Sequence, residues 1–383
     1  MIVTGLVATY PVGGVAWDYL QYVLGLRALG CDVWYLEDTG QWVYDPVAQD
    51  FTADLRRNAR YLHDALVFLD PALATRWAVR DPMGAYHGLD RATVESLCAG
   101  ADLFLNVSGA CWLRDAYRGA KVAAFVDTDP AYNQAKLAIV DAGGGSEEVR
   151  QAAEMIRRHD VFFTTGEHIG APDCRIPTAG LVWHPTRQPV VLDRWSNAGP
   201  PGDVFTTVMS WKIEPDAPVI DGQRYGGKAT EFARIEDLPR QTPEALAVAV
   251  SGEAPRAALT SQGWQVVDGA TVSATMDDYR RYLAGSRGEL SIAKNAYVAT
   301  RSGWFSTRSA AYLASGRPVV VQDTGWSAHI PPGPGLHAFD DAPQAIAALA
   351  AIRADYGTAT RHAREVAAAY FEAGAVCRRL LAD

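Results

Sequence analysis

Ser302-Gly303-Trp304-Phe305-Ser306-Thr307-Arg308-Ser309, continuing as AAYLASGRPVVVQDTG to Gly325, is the stretch from which the fold is read. It sets a glycine turn, hydroxyls and a guanidinium just where the pattern becomes helical at Ala310 to Ala314. A helix start presents backbone N–H groups without intrahelical partners and the positive end of the dipole, so these residues describe a cradle for an anion. The helix is short. Ser315-Gly316 closes it, and Arg317-Pro318 forces the chain into the extended run Val319-Val320-Val321. Gln322-Asp323-Thr324-Gly325 then stand at the strand's carboxyl end, the edge of an open α/β sheet where ligands sit. The same hydroxyls also read as an ordinary helix cap.

Working outward, 383 residues are more than one ordinary core, and two domains fit the length better. A net charge of −9 leaves no electrostatic footprint for a nucleic-acid backbone, so no nucleic acid is expected as a partner. Cys31, Cys98, Cys111, Cys174 and Cys377 show no C-x-x-C spacing, hence neither a zinc site nor a disulfide framework, and a reducing cytoplasm is the expected home. MIVTGLVATYPVGG lacks a basic leader, and no apolar run is long enough to span a bilayer. Peripheral membrane contact stays open.

In the first half, Ile2 to Thr9 reads as a strand buried on both faces. Tyr10-Pro11-Val12-Gly13-Gly14 follows, then a helix over Val15 to Leu29 and a second strand over Cys31 to Leu36, which makes a βαβ unit. The turn has no G-x-G-x-x-G, so a dinucleotide-binding dehydrogenase is disfavoured. Asp18 lies on the first helical turn, where a carboxylate also suits the dipole. The loop from Glu37 to Tyr44 carries Trp42 and Tyr44, aromatic faces for a sugar or for packing. Helices over Thr52 to Leu69, Leu89 to Ala99 and Glu147 to His159 alternate with strands over Ala101 to Val107, Lys121 to Val126 and Val161 to Thr165. Asp127 and Asp129 emerge at a strand end, where they suit a general base or orient an acceptor hydroxyl, or simply start a helix through Asp129-Pro130. Glu167 and His168 emerge at the next, with a structural histidine as the plainer alternative. Cys174 to Pro189 reads as the crossing between domains.

A new sheet begins with Asp203 to Ser210. Helices are expected over Glu231 to Leu238, Met276 to Leu283, Glu289 to Lys294 and the tail from Pro343, and strands over Leu246 to Val250 and Trp264 to Val267. Lys294-Asn295 points to the site or to solvent, with solvent the preferred reading.

The small-Ser-Gly-x-Pro helix end, the valine strand and the D-x-G turn together resemble the donor-binding end of GT-B fold glycosyltransferases, in particular the bacterial family-one-like and spore-maturation-protein-like group. The resemblance is clearest from Arg224 to Phe339. It implies an α/β protein of two Rossmann-like domains facing across a cleft: residues 1–190 on the acceptor side, 191–360 binding a nucleotide sugar, and 361–383 a helix crossing back to the first domain. The implied reaction moves a sugar from a UDP-, GDP- or TDP-sugar to a hydroxyl, or another nucleophile, of a small-molecule acceptor, with no metal and no cofactor. The donor would lie on Gly303, Trp304, Phe305, Ser306, Thr307, Arg308 and Ser309, on Gln322, Asp323 and Thr324, and against the glycine loop at Gly13 and Gly14. Arg224 and Lys228, with Lys212, would neutralise the leaving diphosphate. Asp18, Asp127 and His168 are the candidate catalytic groups. The ribose-binding Glu of retaining members is replaced by Ala311, and the histidine that inverting members carry after the glycine loop is missing. The D-x-D at Asp127 and Asp129 also resembles the metal-binding motif of a different glycosyltransferase fold. A non-hydrolysing sugar-nucleotide epimerase of the same fold, and a non-catalytic nucleotide-binding protein, remain as alternatives.

Overall fold

The computed structural model describes residues 1–196, 199–211 and 217–382, so Lys212 lies outside the described residues. The first half contributes β1 (Ile2–Thr4), β2 (Trp34–Glu37), β3 (Val43–Asp45), β4 (Asp50–Thr52), β5 (Trp77–Arg80), β6 (Tyr86–Gly88), β7 (Leu103–Val107), β8 (Val122–Asp127), β9 (Val161–Thr164) and β10 (Trp183–Pro185). All but the β3–β4 hairpin join one sheet in the order β10-β9-β8-β7-β1-β2-β5-β6, parallel except at β5–β6. The second half adds β11 (Val204–Trp211), β12 (Val219–Ile220), β13 (Gln223–Arg224), β14 (Ala245–Gly252), β15 (Gln265–Asp268), β16 (Gly288–Ser291), β17 (Val319–Gln322) and β18 (Leu336–Phe339). Its main sheet runs β15-β14-β11-β16-β17-β18, parallel throughout, and β12–β13 is a separate hairpin.

Valine-rich runs sit where helices cover both faces. Val319, Val320 and Val321 are all buried, each worth about 1.5–3 kcal/mol in removed apolar surface. β1 is shorter than the apolar run beginning at Ile2. The buried Glu37 carboxylate accepts from Ala8 N at 2.9 Å and from the Thr9 amide and hydroxyl, and so draws residues beyond Thr4 out of the sheet. Glu289 to Lys294, expected as a helix, instead opens as β16. Leu290 is buried in the second core, and Glu289 tolerates a central strand because Arg308 meets it. Lys228–Phe232 forms a short helix where a longer one was expected from Glu231.

The first helix, Gly13–Ala28, is buried along most of its length, which leaves its middle no polar face. At Gly25 it meets the last helix, Ala373–Ala382, so closely that a Cβ there would lie 2.7 Å from Cys377 Sγ. The helices Ala342–Ala354 and Tyr356–Tyr370 stay with the second sheet. One apolar cluster runs through both halves, from Trp17 and Tyr22 to Phe305, Tyr312 and Trp326.

Candidate functional site

A cavity of about 210 Å³ opens where the carboxyl ends of the two sheets face each other. The first half supplies Gly14, Asp18, Tyr19 and Tyr22 from the helix after β1, Ser108 from the loop after β7 and Thr128 from the loop after β8. The helix Thr307–Ala314 supplies Thr307 and Arg308 from its first turn, preceded by Ser306 and Trp304. Lys228, Tyr279 and Gln188 complete the wall.

The walls are stiffened by their own hydrogen bonds. Tyr19 donates to Ser108 Oγ at 2.9 Å, and Ser108 and Thr128 share a 2.5 Å contact. Trp304 Nε1 donates to the Thr128 carbonyl at 3.2 Å, which ties the cradle to the opposite domain. Ser306 caps the helix by accepting from Arg308 N at 3.2 Å. The Arg308 guanidinium donates to Glu289 Oε1 at 2.5 Å, the Val208 carbonyl at 2.6 Å and Ser291 Oγ at 3.0 Å. A guanidinium carries five N–H donors, so some remain for a ligand.

Asp18 is exposed and faces the cavity, with protein packed around the rest of its side chain. Burial in this sense raises its carboxyl to about 7, while a hydrogen bond from Thr307 and the charges of Arg308 and Lys228 pull the other way. Lys228 is lowered to about 7, first by burial and then by the neighbouring positive charges of Arg308 and Lys294. The site therefore sets a carboxyl shifted upward and an amine shifted downward on the wall of one cavity.

Of the residues singled out in the sequence, Gly14, Asp18, Lys228, Trp304, Ser306, Thr307 and Arg308 meet around this one cavity. The others are placed elsewhere. Asp127 is fully buried, and its oxygens accept from Asn133 at 2.8 Å, Gln134 at 2.7 Å and Thr164 at 2.9 Å, so it braces β8 and β9 rather than facing the cavity. His168 is held between Asp173 at 2.7 Å and His329 at 2.9 Å, a contact that joins the two halves outside the cavity. Gly13 donates its N–H to the Ser273 carbonyl at 2.7 Å, which occupies the glycine turn with protein. Arg224 is exposed on the β12–β13 hairpin.

Gly303 donates to the Thr324 carbonyl at 2.8 Å. It has φ +79°, and a Cβ there would lie 2.4 Å from His168 N. Phe305 stacks on Phe371 in the core. Ser309 points its hydroxyl at Ser291, and Gln322 donates to Glu231 at 2.5 Å. Asp323 caps the turn at Gly325 and Ser327, and Thr324 donates to the Trp304 carbonyl. The D-x-G turn thus supports the cradle from behind. Lys294, for which solvent was preferred over the site, pairs with Asp129 at 3.0 Å across the domains, and Asn295 donates to Glu231.

Tyr19, Tyr22, Ser108, Thr128, Gln188 and Tyr279 also line the cavity and were not among the candidate site residues. Tyr22 follows Asp18 by four residues, so one helix face carries both, and that spacing was the available signal. Tyr279 and Gln188 reach the cavity only through tertiary contacts. Among the described residues no cluster of His, Cys, Asp and Glu is arranged to hold a metal, and no helix is long and apolar enough to cross a membrane.

No protein-family model matches the chain, and no curated protein matches it. Solved structures do. An alpha-glucosyltransferase solved with UDP and a 13-mer DNA containing an HMU base superposes with TM-score 0.57 at 10% identity, covering 100% of this chain and 98% of that one. A glycosyltransferase from Rickettsia africae ESF-5 gives TM-score 0.51 at 11% identity, over 100% and 96% of the two chains. A glycosyltransferase involved in avilamycin A biosynthesis gives 0.50 at 14% identity, over 97% and 88%. The chain has the GT-B fold.

Proposed function

We propose that the protein is a glycosyltransferase that takes its sugar from a nucleotide diphosphate donor and hands it to a small-molecule acceptor. The observation that carries this reading is the single cavity joining a helix start, Arg308 and Lys228 on one side to Asp18 on the other. Breaking a sugar–phosphate bond leaves negative charge on the β-phosphate. Fixed cations and helix N–H groups receive that charge without reorganising. Arg308, pinned by Glu289, Val208 and Ser291, and Lys228 do so here without a divalent metal.

Asp18 acts as the base for the incoming hydroxyl: it faces the cavity that Arg308 and Lys228 also line, and a carboxylate whose pKa is raised is a stronger base than an ordinary one. The fold likeness supports the same reading, and the UDP bound by the alpha-glucosyltransferase makes UDP the first nucleotide to try, ahead of GDP and TDP. The free cysteines suit a reducing cytoplasm.

The test is thermal shift and native mass spectrometry of the purified protein with UDP, GDP and TDP and their sugars, with and without magnesium. Stabilisation by one nucleotide, equal in both conditions, is the expected result. Absence of stabilisation by all of them sinks the proposal. Incubation with donor alone separates this reading from an epimerase, which would yield a stereoisomeric nucleotide sugar with no acceptor present.

A further inference from the structure

Two histidines meet across the halves of the molecule. His168 Nδ1 lies 2.9 Å from His329 Nε2, with the rings inclined at 75°, and its other nitrogen, Nε2, lies 2.7 Å from Asp173 Oδ1. Arg301 Nε donates to the second oxygen of Asp173 at 2.7 Å. His168 and Asp173 belong to the first half, Arg301 and His329 to the second, so this chain of contacts crosses the seam twice. The other charged groups facing the pair are Glu167 and Arg187, which bond each other at 2.6 and 2.8 Å.

The contact can hold only so many protons. A neutral imidazole has one N–H and one acceptor nitrogen, whereas a protonated one has two N–H groups and no acceptor. Hydrogen bonds from His168 and then from Arg301 hold the Asp173 carboxyl below its usual range. An ionised carboxylate only accepts, so His168 Nε2 carries a hydrogen. The facing nitrogens then share a single N–H: His329 donates to a neutral His168, or a protonated His168 donates to His329. A second proton puts N–H groups on both facing nitrogens and positive charge on both rings, and the bond is lost. Burial lowers the His329 pKa; Glu167 opposes that, and His168 and Arg187 add to it.

The pair stands where backbone from the two halves runs side by side. Gly166 bridges Trp304, His168 N donates to the Ser302 carbonyl at 3.1 Å, and Arg175 N donates to the Thr300 carbonyl at 2.9 Å. Trp304 in turn lines the cavity. We propose that His168 and His329 form a pH-sensitive catch on this seam: uptake of the second proton parts the rings and loosens residues 166–175 from 300–304. No covalent bond changes, and the inference is independent of what the cavity binds. The closed contact excludes a proton that the parted one takes up. It is therefore fully made above the ordinary histidine value of 6.5 and weakens as pH falls below it.

The test is hydrogen exchange read by mass spectrometry on the full chain, from about pH 5 to about pH 8, corrected for the intrinsic pH dependence of exchange. Wild type is compared with His329→Gln and His329→Phe, both uncharged throughout, the second keeping an aromatic ring. In wild type, protection over 166–175 and 300–304 should fall about tenfold from neutral to acid pH, relative to β8 and β17. In both variants that ratio should stay flat, and the slope decides whatever the protection at alkaline pH. A wild-type seam whose protection tracks the two strands overturns the proposal, and so do variants that keep the wild-type slope.

Discussion

Two helix starts in this molecule have the same local chemistry and opposite fates. Both follow a glycine-bearing loop, and both present N–H groups at the cleft. At Gly13–Ala28 no side chain caps the end. Ser273 of the other domain fills the role instead, its carbonyl accepting from Gly13 at 2.7 Å and its hydroxyl from Gly14 at 3.3 Å. At Thr307–Ala314 the chain caps itself through Ser306, and the first turn opens on the cavity. A glycine loop before a helix is thus an anion site only if the rest of the fold leaves it vacant. Here the first start has become a docking point between domains, and the second faces the cavity.

The largest expected effect lies under the second start. Glu289→Ala would leave Arg308, only 10% exposed in its side chain, as an unpaired buried cation, and should lower stability by about 3–5 kcal/mol in urea unfolding. A loss below 1 kcal/mol would mean that the cradle does not depend on that pair. Next, Lys228→Ala should cost about 1.5–3 kcal/mol of diphosphate affinity, read by calorimetry. Unchanged affinity would remove the amine from the site.

At the first start, Gly13→Ala would bring a Cβ to 2.2 Å of the Thr275 carbonyl and should destabilise by about 1–3 kcal/mol. The same variant should keep the diphosphate affinity of wild type. A parallel loss of nucleotide binding would show that the two starts act as one site.

The smallest effect is in pH. The folded pKa of Asp18 is raised from 3.8 to about 7, so the folded state holds a proton that the unfolded chain has lost, and its contribution makes stability fall as pH rises from about 4 to 7. Lys228 is lowered from 10.5 to about 7. The unfolded chain holds the extra proton above that, so its contribution makes stability rise from about 7 to 10.5. Asp18→Asn should flatten the lower limb and Lys228→Met the upper one, in melting curves taken across pH. Profiles that keep both slopes in these variants would place the titration on other groups.

Much of this was legible because the signals were local. Val319 to Val321, Pro318 and Gly316 fix a helix, a turn and a buried strand within nine residues, and the cap at Ser306 needs only its own neighbours. The expected helix at Glu289 shows where local reading stops. Glu and Leu favour a helix by propensity, and what makes the segment a strand is its place between β11 and β17 and the arginine nineteen residues on. The same holds for Asp127. Two carboxylates at a strand end look like a catalytic pair, but Asn133, Gln134 and Thr164 claim the first and Lys294 the second. Sequence shows which groups reach the sheet edge. It does not show which of them the protein has already used.

The last helix has a mechanical consequence. The chain passes between the two halves twice, and the two passages are laced together: Val190 N–H donates to the Phe371 carbonyl at 2.7 Å, and Ala373 N–H to the Val190 carbonyl at 3.0 Å. Two tethers joined at one point behave as a door pin. A rotation of one half against the other about Val190 would displace little beside the pin and most at the far rim. Ser273 on Gly13, Trp304 on Thr128, Lys294 on Asp129 and His168 on His329 are the contacts that such a rotation would have to part.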